Sequence, residues 1–160
     1  MRIIRQFLEP IQREFLIRLS QDVGRIWTPG RQTMGYEHTP IDETCLSSLV
    51  QRSLGAITPE EIVGHDVYLI RYGDGAFIPP HTDPSIADGT RHGRLNALLI
   101  VPTSGGIFVH GAFSPQPLNL DDAVVFRPDV EEHSLTPVVG KRLIWSVGCN
   151  YRVRVRGLKS

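Results

Sequence analysis

A mainly β protein with its helices gathered at the N-terminus is the fold class this sequence predicts. Helix-like periodicity is confined to the stretch before residue 64. From Val67 onward, short β-branched and aromatic runs are separated by Gly and Pro turn signals. Helices and strands do not alternate along the chain, which excludes a doubly wound parallel sheet. Many short strands of this kind build a sandwich, a barrel or a jelly roll.

The 160 residues suit one domain, with helical support over about 1–64 and a β core over about 65–155. Lys and Arg number 17, as do Asp and Glu, so no global field favours nucleic acid or an anionic membrane surface. No apolar run reaches the length of a membrane span. Met1–Arg5 has no apolar h-region, and Cys45 and Cys149 lack metal or redox spacing, so a cytoplasmic protein with two reduced thiols is expected. Oligomeric state is not legible.

Residues 10–23 predict an amphipathic helix with Ile11, Phe15, Leu19 and Val23 as its buried stripe, Pro10 at its first position and Gly24 past its end. Residues 27–41, with Pro29, Gly30, Gly35 and Pro40, predict a long loop or extended edge, and His38 there is expected to be solvated. A second helix is expected over 42–54, capped by Asp42, buried through Leu46, Leu49, Val50 and Leu54, and ended by Gly55; Cys45 is expected inside. Thr58-Pro59-Glu60-Glu61 predicts one further helical turn.

Strands follow over 67–72, 77–80, 95–101, 107–110, 123–126, 132–139 and 142–147. A loop is expected at 84–93 and a connection at 114–122. Gly73-Asp74-Gly75 and Gly105-Gly106 mark turns, and Gly140-Lys141 is expected to join the last two strands as a hairpin. The tail from Tyr151 to Arg156 alternates with period two and predicts a strand with one solvated basic face.

The chemistry concentrates at His81-Thr82-Asp83. In an extended segment these two ligand types point to the same side. His133 supplies a third ligand type, and two His with one carboxylate form the facial triad that holds non-haem Fe(II). The same set also suits catalytic zinc. Nine residues beyond His133 stands Arg142. Period two places Arg142, Ile144 and Ser146 on one face and Leu143, Trp145 and Val147 on the other. An arginine aimed into a β-roll needs an anion, and its fork suits a carboxylate. Tyr72 can add a phenol and Ser146 a hydroxyl. The set describes a site for a keto acid that chelates metal at one end and is anchored at the other.

With these residues in view, the stretch from Val67 to Val147 resembles the Fe(II)/2-oxoglutarate-dependent dioxygenases, in particular the prolyl-4-hydroxylase-like group. The resemblance rests on Arg71-Tyr72-Gly73-Asp74-Gly75 before His81-Thr82-Asp83, on Gly105-Gly106, on Ala123-Val124-Val125-Phe126, and on His133 through Arg142. It implies a double-stranded β-helix, a jelly roll of cupin-like type. It implies His81, Asp83 and His133 as iron ligands and Arg142 as the anchor for 2-oxoglutarate, with Tyr72 and Ser146 as further co-substrate contacts. It implies O2 as oxidant, help from ascorbate or another reductant, and hydroxylation of an amino acid, a peptidyl residue or a small biosynthetic intermediate with release of succinate and CO2. Asp83 departs from the related halogenases, which have a small residue there. Gly148 departs from the nucleic-acid repair relatives, which carry a second arginine six residues after the anchor. The alternative class is a cupin-type metal-binding jelly roll that hydrolyses, isomerises or binds a ligand. His92 and His110 are left as candidates for the substrate site, and residues 25–41 have no assigned role.

Overall fold

The computed structural model describes residues 1–31, 35–84, 87–111 and 117–155. Twelve strands and two helices follow one another as β1 (Arg2–Ile4), α1 (Pro10–Ser20), β2 (Thr28–Pro29), β3 (Tyr36–Pro40), a 3-10 turn (Glu43–Cys45), α2 (Ser47–Ile57), β4 (Glu61–Tyr72), β5 (Ile78–His81), β6 (Arg91–Ile100), β7 (Ser104–Gly105), β8 (Phe108–His110), β9 (Ala123–Phe126), β10 (His133–Leu135), β11 (Val138–Val139) and β12 (Arg142–Arg152). Every strand pair is antiparallel. The large sheet has the order β1-β9-β6-β12-β4-β3-β2, a small sheet has β5-β10-β8, and β11 pairs with β7. This is a jelly roll with both helices on the outer side of the large sheet.

Alternation along β12 sorts the two faces as the sequence predicts. Leu143, Trp145 and Val147 enter the main core with Leu16 of α1, Leu49, Val50 and Leu54 of α2, and Leu95, Ala97 and Leu99 of β6. Trp145 donates its indole N–H to Ser53 Oγ at 3.1 Å, which pins α2 to the middle of the sheet. On the opposite face, Ile144 packs with Tyr72, Leu98, Leu135 and Val138 in a smaller cluster between the sheets.

Several expectations are corrected. α1 stops at Ser20, before Val23, and of the expected stripe Ile11 and Phe15 are exposed (Ile11 73%) and only Leu19 packs against the core, whereas Leu16 is completely buried. Within 27–41, β2 and β3 give the extended edge, one of the two expectations, with β3 pairing with β4 and β2 with β3 at the margin of the large sheet. Asp42 caps the 3-10 turn, accepting from Thr44 N–H at 3.0 Å, and α2 passes through Gly55 to Ile57. Thr58 ends α2, and its hydroxyl accepts from Glu60 N–H, so no third helical turn forms. Cys45 is exposed. Cys149 is buried, and desolvation pushes its thiol up to about 11.

The expected hairpin between 132–139 and 142–147 does not exist. β10 and β11 belong to the smaller sheets, and β12 pairs instead with β4 and β6. Gly140, at φ 91°, turns the chain from one layer to the other. Parts of the expected connections at 84–93 and 114–122, and Arg156 of the tail, lie outside the described residues.

Candidate metal and co-substrate site

The small sheet sets the histidines in one row. His133 is the register partner of His81 on β5 and of His110 on β8. The His81 and His133 rings stand 4.3 Å apart between centroids. Each ring is fixed by the backbone two residues before it: Nδ1 of His81 is 2.8 Å from the Pro79 carbonyl oxygen, and Nδ1 of His133 is 2.9 Å from the Glu131 carbonyl oxygen. A carbonyl only accepts, so Nδ1 donates, and Nε2 is the nitrogen turned toward the site, placed to ligate a metal. Both Nε2 atoms meet Asp83, at 3.5 Å from Oδ1 and 3.5 Å from Oδ2. Asp83 is held in turn by its N–H, which donates to the Pro128 carbonyl at 2.6 Å.

One ligand atom from each of His81, Asp83 and His133 lies within 4.8 Å of the others. Burial works to raise the Asp83 carboxyl. The hydrogen bond from His133 and the charges of His81, His133 and Arg94 outweigh it and hold the group below the usual carboxylate range. A carboxylate facing the Nε2 atoms of two imidazoles is a donor set suited to a divalent cation.

Arg142 sits in the same cavity of about 370 Å³. It is 4% exposed, its guanidinium lies 4.8 Å from the Tyr72 ring centroid, and its Nε has no hydrogen-bond partner among the described residues. Burial works against its charge, and Tyr72 opposes that effect. Burial in turn raises the Tyr72 phenol, against the pull of Arg142. Gly106, at φ 59°, makes this seat possible, because a Cβ there would lie 3.2 Å from Arg142 Cδ and from Val138 Cγ2. A buried cation with an orphaned donor fits a carboxylate ligand.

Ser146 also faces this cavity and is already engaged. Its hydroxyl donates to Asn96 Oδ1 at 2.7 Å and accepts from an Arg94 terminal nitrogen at 2.8 Å. His92 lines the cavity, with its pKa lowered by burial and by Arg94. His38, expected in solvent, also lines it, edge-on to Tyr68 at 5.1 Å. His110 turns away from the cavity toward Glu131, with Nε2 3.2 Å from Oε2. His65 is exposed and meets Glu43 at 2.7 Å.

Sequence reasoning missed Asp66 and Arg94. Arg94 donates to both carboxylate oxygens of Asp66, at 2.9 and 3.2 Å. A signal was present: His92, Arg94 and Asn96 alternate with Gly93, Leu95 and Ala97. An expected strand beginning at Leu95 cuts that pattern off.

Jelly roll and triad together define a class: the chain has the fold of the prolyl-4-hydroxylases and other 2-oxoglutarate/Fe(II) oxygenases. Among solved structures, a prolyl-4-hydroxylase from Pseudomonas putida is similar at TM-score 0.74 and 19% identity, over 96% of this chain and 92% of that one. HygX from Streptomyces hygroscopicus, with nickel and 2-oxoglutarate bound, is similar at TM-score 0.70 and 11% identity, over 94% and 82%. A Trichoplax adhaerens prolyl hydroxylase in complex with a hypoxia inducible factor peptide is similar at TM-score 0.66 and 19% identity, over 99% and 86%. Neither a family model nor a curated protein matches the sequence.

Proposed function

We propose that the protein is an Fe(II)- and 2-oxoglutarate-dependent dioxygenase that hydroxylates an amino acid, a peptidyl residue or a small biosynthetic intermediate. The observation that carries this reading is the pairing, in one cavity, of a His–Asp–His donor set with a buried arginine whose Nε has no partner among the described residues. His81, Asp83 and His133 hold the iron. Arg142 anchors the far carboxylate of the keto acid, with Tyr72 beside it and Ser146 as a hydroxyl already oriented by Asn96 and Arg94. Once bound, iron and 2-oxoglutarate supply the oxidising power for O2-dependent hydroxylation, with succinate and CO2 released and a reductant such as ascorbate keeping the metal ferrous.

The residues do the positioning. Backbone carbonyls fix both imidazoles, so the ligands are preorganised before metal arrives. Ile78, Phe108, Phe126 and Leu135 line the cavity near His133 and limit the access of water. The similar structures supply the precedent for nickel and 2-oxoglutarate in such a site and for a peptide as partner. A cupin-type jelly roll that only binds metal has no use for the second, carboxylate-reading end of the site. The proposed setting is a single domain of double-stranded β-helix type, in the cytoplasm, without nucleic-acid or membrane partners; no helix among the described residues is long and apolar enough to cross a membrane.

The test is succinate formation. Protein stripped by chelation and reloaded with Fe(II) in ascorbate should convert 2-oxoglutarate to succinate, slowly even without substrate. Zinc-loaded protein should not, although zinc binds such ligands more tightly than Fe(II). Asp83→Ala should abolish turnover while the fold survives. Equal activity of the zinc and iron forms overturns the reading.

A further inference from the structure

Beyond the metal ligands, Arg142 and the end of Arg94 that orients Ser146, one part of the cavity has no task in the proposed reaction. Arg94 on β6 and Asp66 on β4 are both register partners of Gly148 on the strand between them. The Arg94 side chain crosses β12 over that glycine. A Cβ at position 148 would lie 2.4 Å from an Arg94 terminal nitrogen, 2.7 Å from its Cζ and 3.1 Å from Asp66 Oδ1. The guanidinium is then held at both ends, by Ser146 Oγ and by the Asp66 carboxylate. Gly148 is the seat that lets the two charges meet.

This pair is placed for a ligand. Both residues line the cavity that holds His81, Asp83 and His133. The Asp66 side chain is 37% exposed and that of Arg94 18%, so each keeps an accessible side. Next to Asp66 along the same face, Gly64 leaves open space, with nothing within 4 Å of where its Cβ would stand. The cavity, about 370 Å³, is at the small end of ligand sites, roughly 300–1,000 Å³, and it must admit the keto acid as well.

A charged donor and a charged acceptor side by side, together electroneutral and partly desolvated, leave a ligand of net charge unbalanced. A molecule with a carboxylate next to an ammonium group satisfies both. We infer that Arg94 and Asp66, seated by Gly148, form the substrate-reading subsite, and that the substrate is a small zwitterion with the head group of a free α-amino acid. Its carboxylate meets Arg94 and its ammonium meets Asp66. The inference rests on the oxygenase reading for its purpose, but the subsite itself needs neither iron nor keto acid.

Anaerobic calorimetry separates the two. 2-Oxoglutarate is titrated first into Fe(II)-loaded protein, which reports on the oxygenase reading alone. The standard L-amino acids and their N-acetyl, N-methylamide forms are then titrated with and without it. At least one free amino acid should bind, with its capped form weaker by about tenfold or more, because capping removes two charge-assisted contacts. Asp66→Asn should weaken the free form by about tenfold to a hundredfold, leaving the capped form and 2-oxoglutarate unchanged. Gly148→Ala should likewise weaken the free form and spare the capped one, since only the far end of Arg94 has to move, and unaltered melting would show the fold intact. The subsite is refuted if no free amino acid binds, if capped forms bind as well as free ones, or if both variants keep the discrimination.

Discussion

Arg142 can be tested apart from the metal, because it is not a ligand. Losing one partner of a buried, charge-assisted pair costs on the order of 2–4 kcal/mol. Arg142→Ala should therefore weaken 2-oxoglutarate by roughly 30- to 1,000-fold and leave Fe(II) affinity nearly unchanged. Pyruvate has no far carboxylate, so its weak binding should hardly move. Titration of both keto acids against wild type and variant, with Fe(II) present and O2 excluded, gives the comparison; equal losses would mean that Arg142 serves the fold. Asp122 is a second residue with a definite expectation. Burial works to raise its carboxyl, but hydrogen bonds from Gln6 N–H, Arg5 and Asn119 N–H outweigh it and hold the group below its ordinary value. A depressed folded value gives stability that is fully present above the unfolded pKa, about 4, and is lost as pH falls through the lower folded value. Asp122→Asn should cost about 1–3 kcal/mol at neutral pH and flatten the stability profile below about pH 4, as read from urea titrations across pH.

At the scale of elements, α1 shows why a stripe can mislead. Residues spaced by four drift about 40° around a helix at each step, so Ile11, Phe15, Leu19 and Val23 fan across a wide arc. The sheet accepts only the side centred on Leu16, with Ile17 and Leu19 partly covered. Leu16→Ala should cost about 2–5 kcal/mol in chemical denaturation, and Ile11→Ala no more than about 0.5 kcal/mol. Strands were more legible. On β12 strict alternation assigns both faces from sequence, and the triad with Arg142 is readable from residue types and spacing. On β6 the alternation is masked by a bulge: Leu143 pairs with Ile100 but Ile144 with Leu98, so Leu99 is the extra residue. That bulge turns Ile100 to the same side as Leu99, so the run from Leu95 to Val101 does not alternate, and a strand begun at Leu95 leaves His92 and Arg94 out. The hairpin expected at Gly140 failed for another reason: a glycine turn marks a reversal of direction, and nothing local tells whether the next strand joins the same sheet. Cys45 and Thr58 failed because helix ends depend on what the neighbouring strand requires.

At the scale of the whole molecule, the order of the large sheet has a consequence for how the protein is made. Its middle strand, β12, follows every other described strand, and it stands between β6 and β4. During synthesis those two strands leave the ribosome long before the one that joins them. Until β12 emerges, each presents an open edge, Trp145 is absent from the core, and the anchor Arg142 has not been made. Folding must then wait for the C-terminal stretch, and the nascent chain depends on chaperones or on speed to avoid edge-to-edge association. With nearly all pairings distant in sequence, refolding from urea should take milliseconds to seconds, not microseconds. A chain stopped after Lys141 should show no cooperative melting and should aggregate at micromolar concentration, which light scattering during refolding would record.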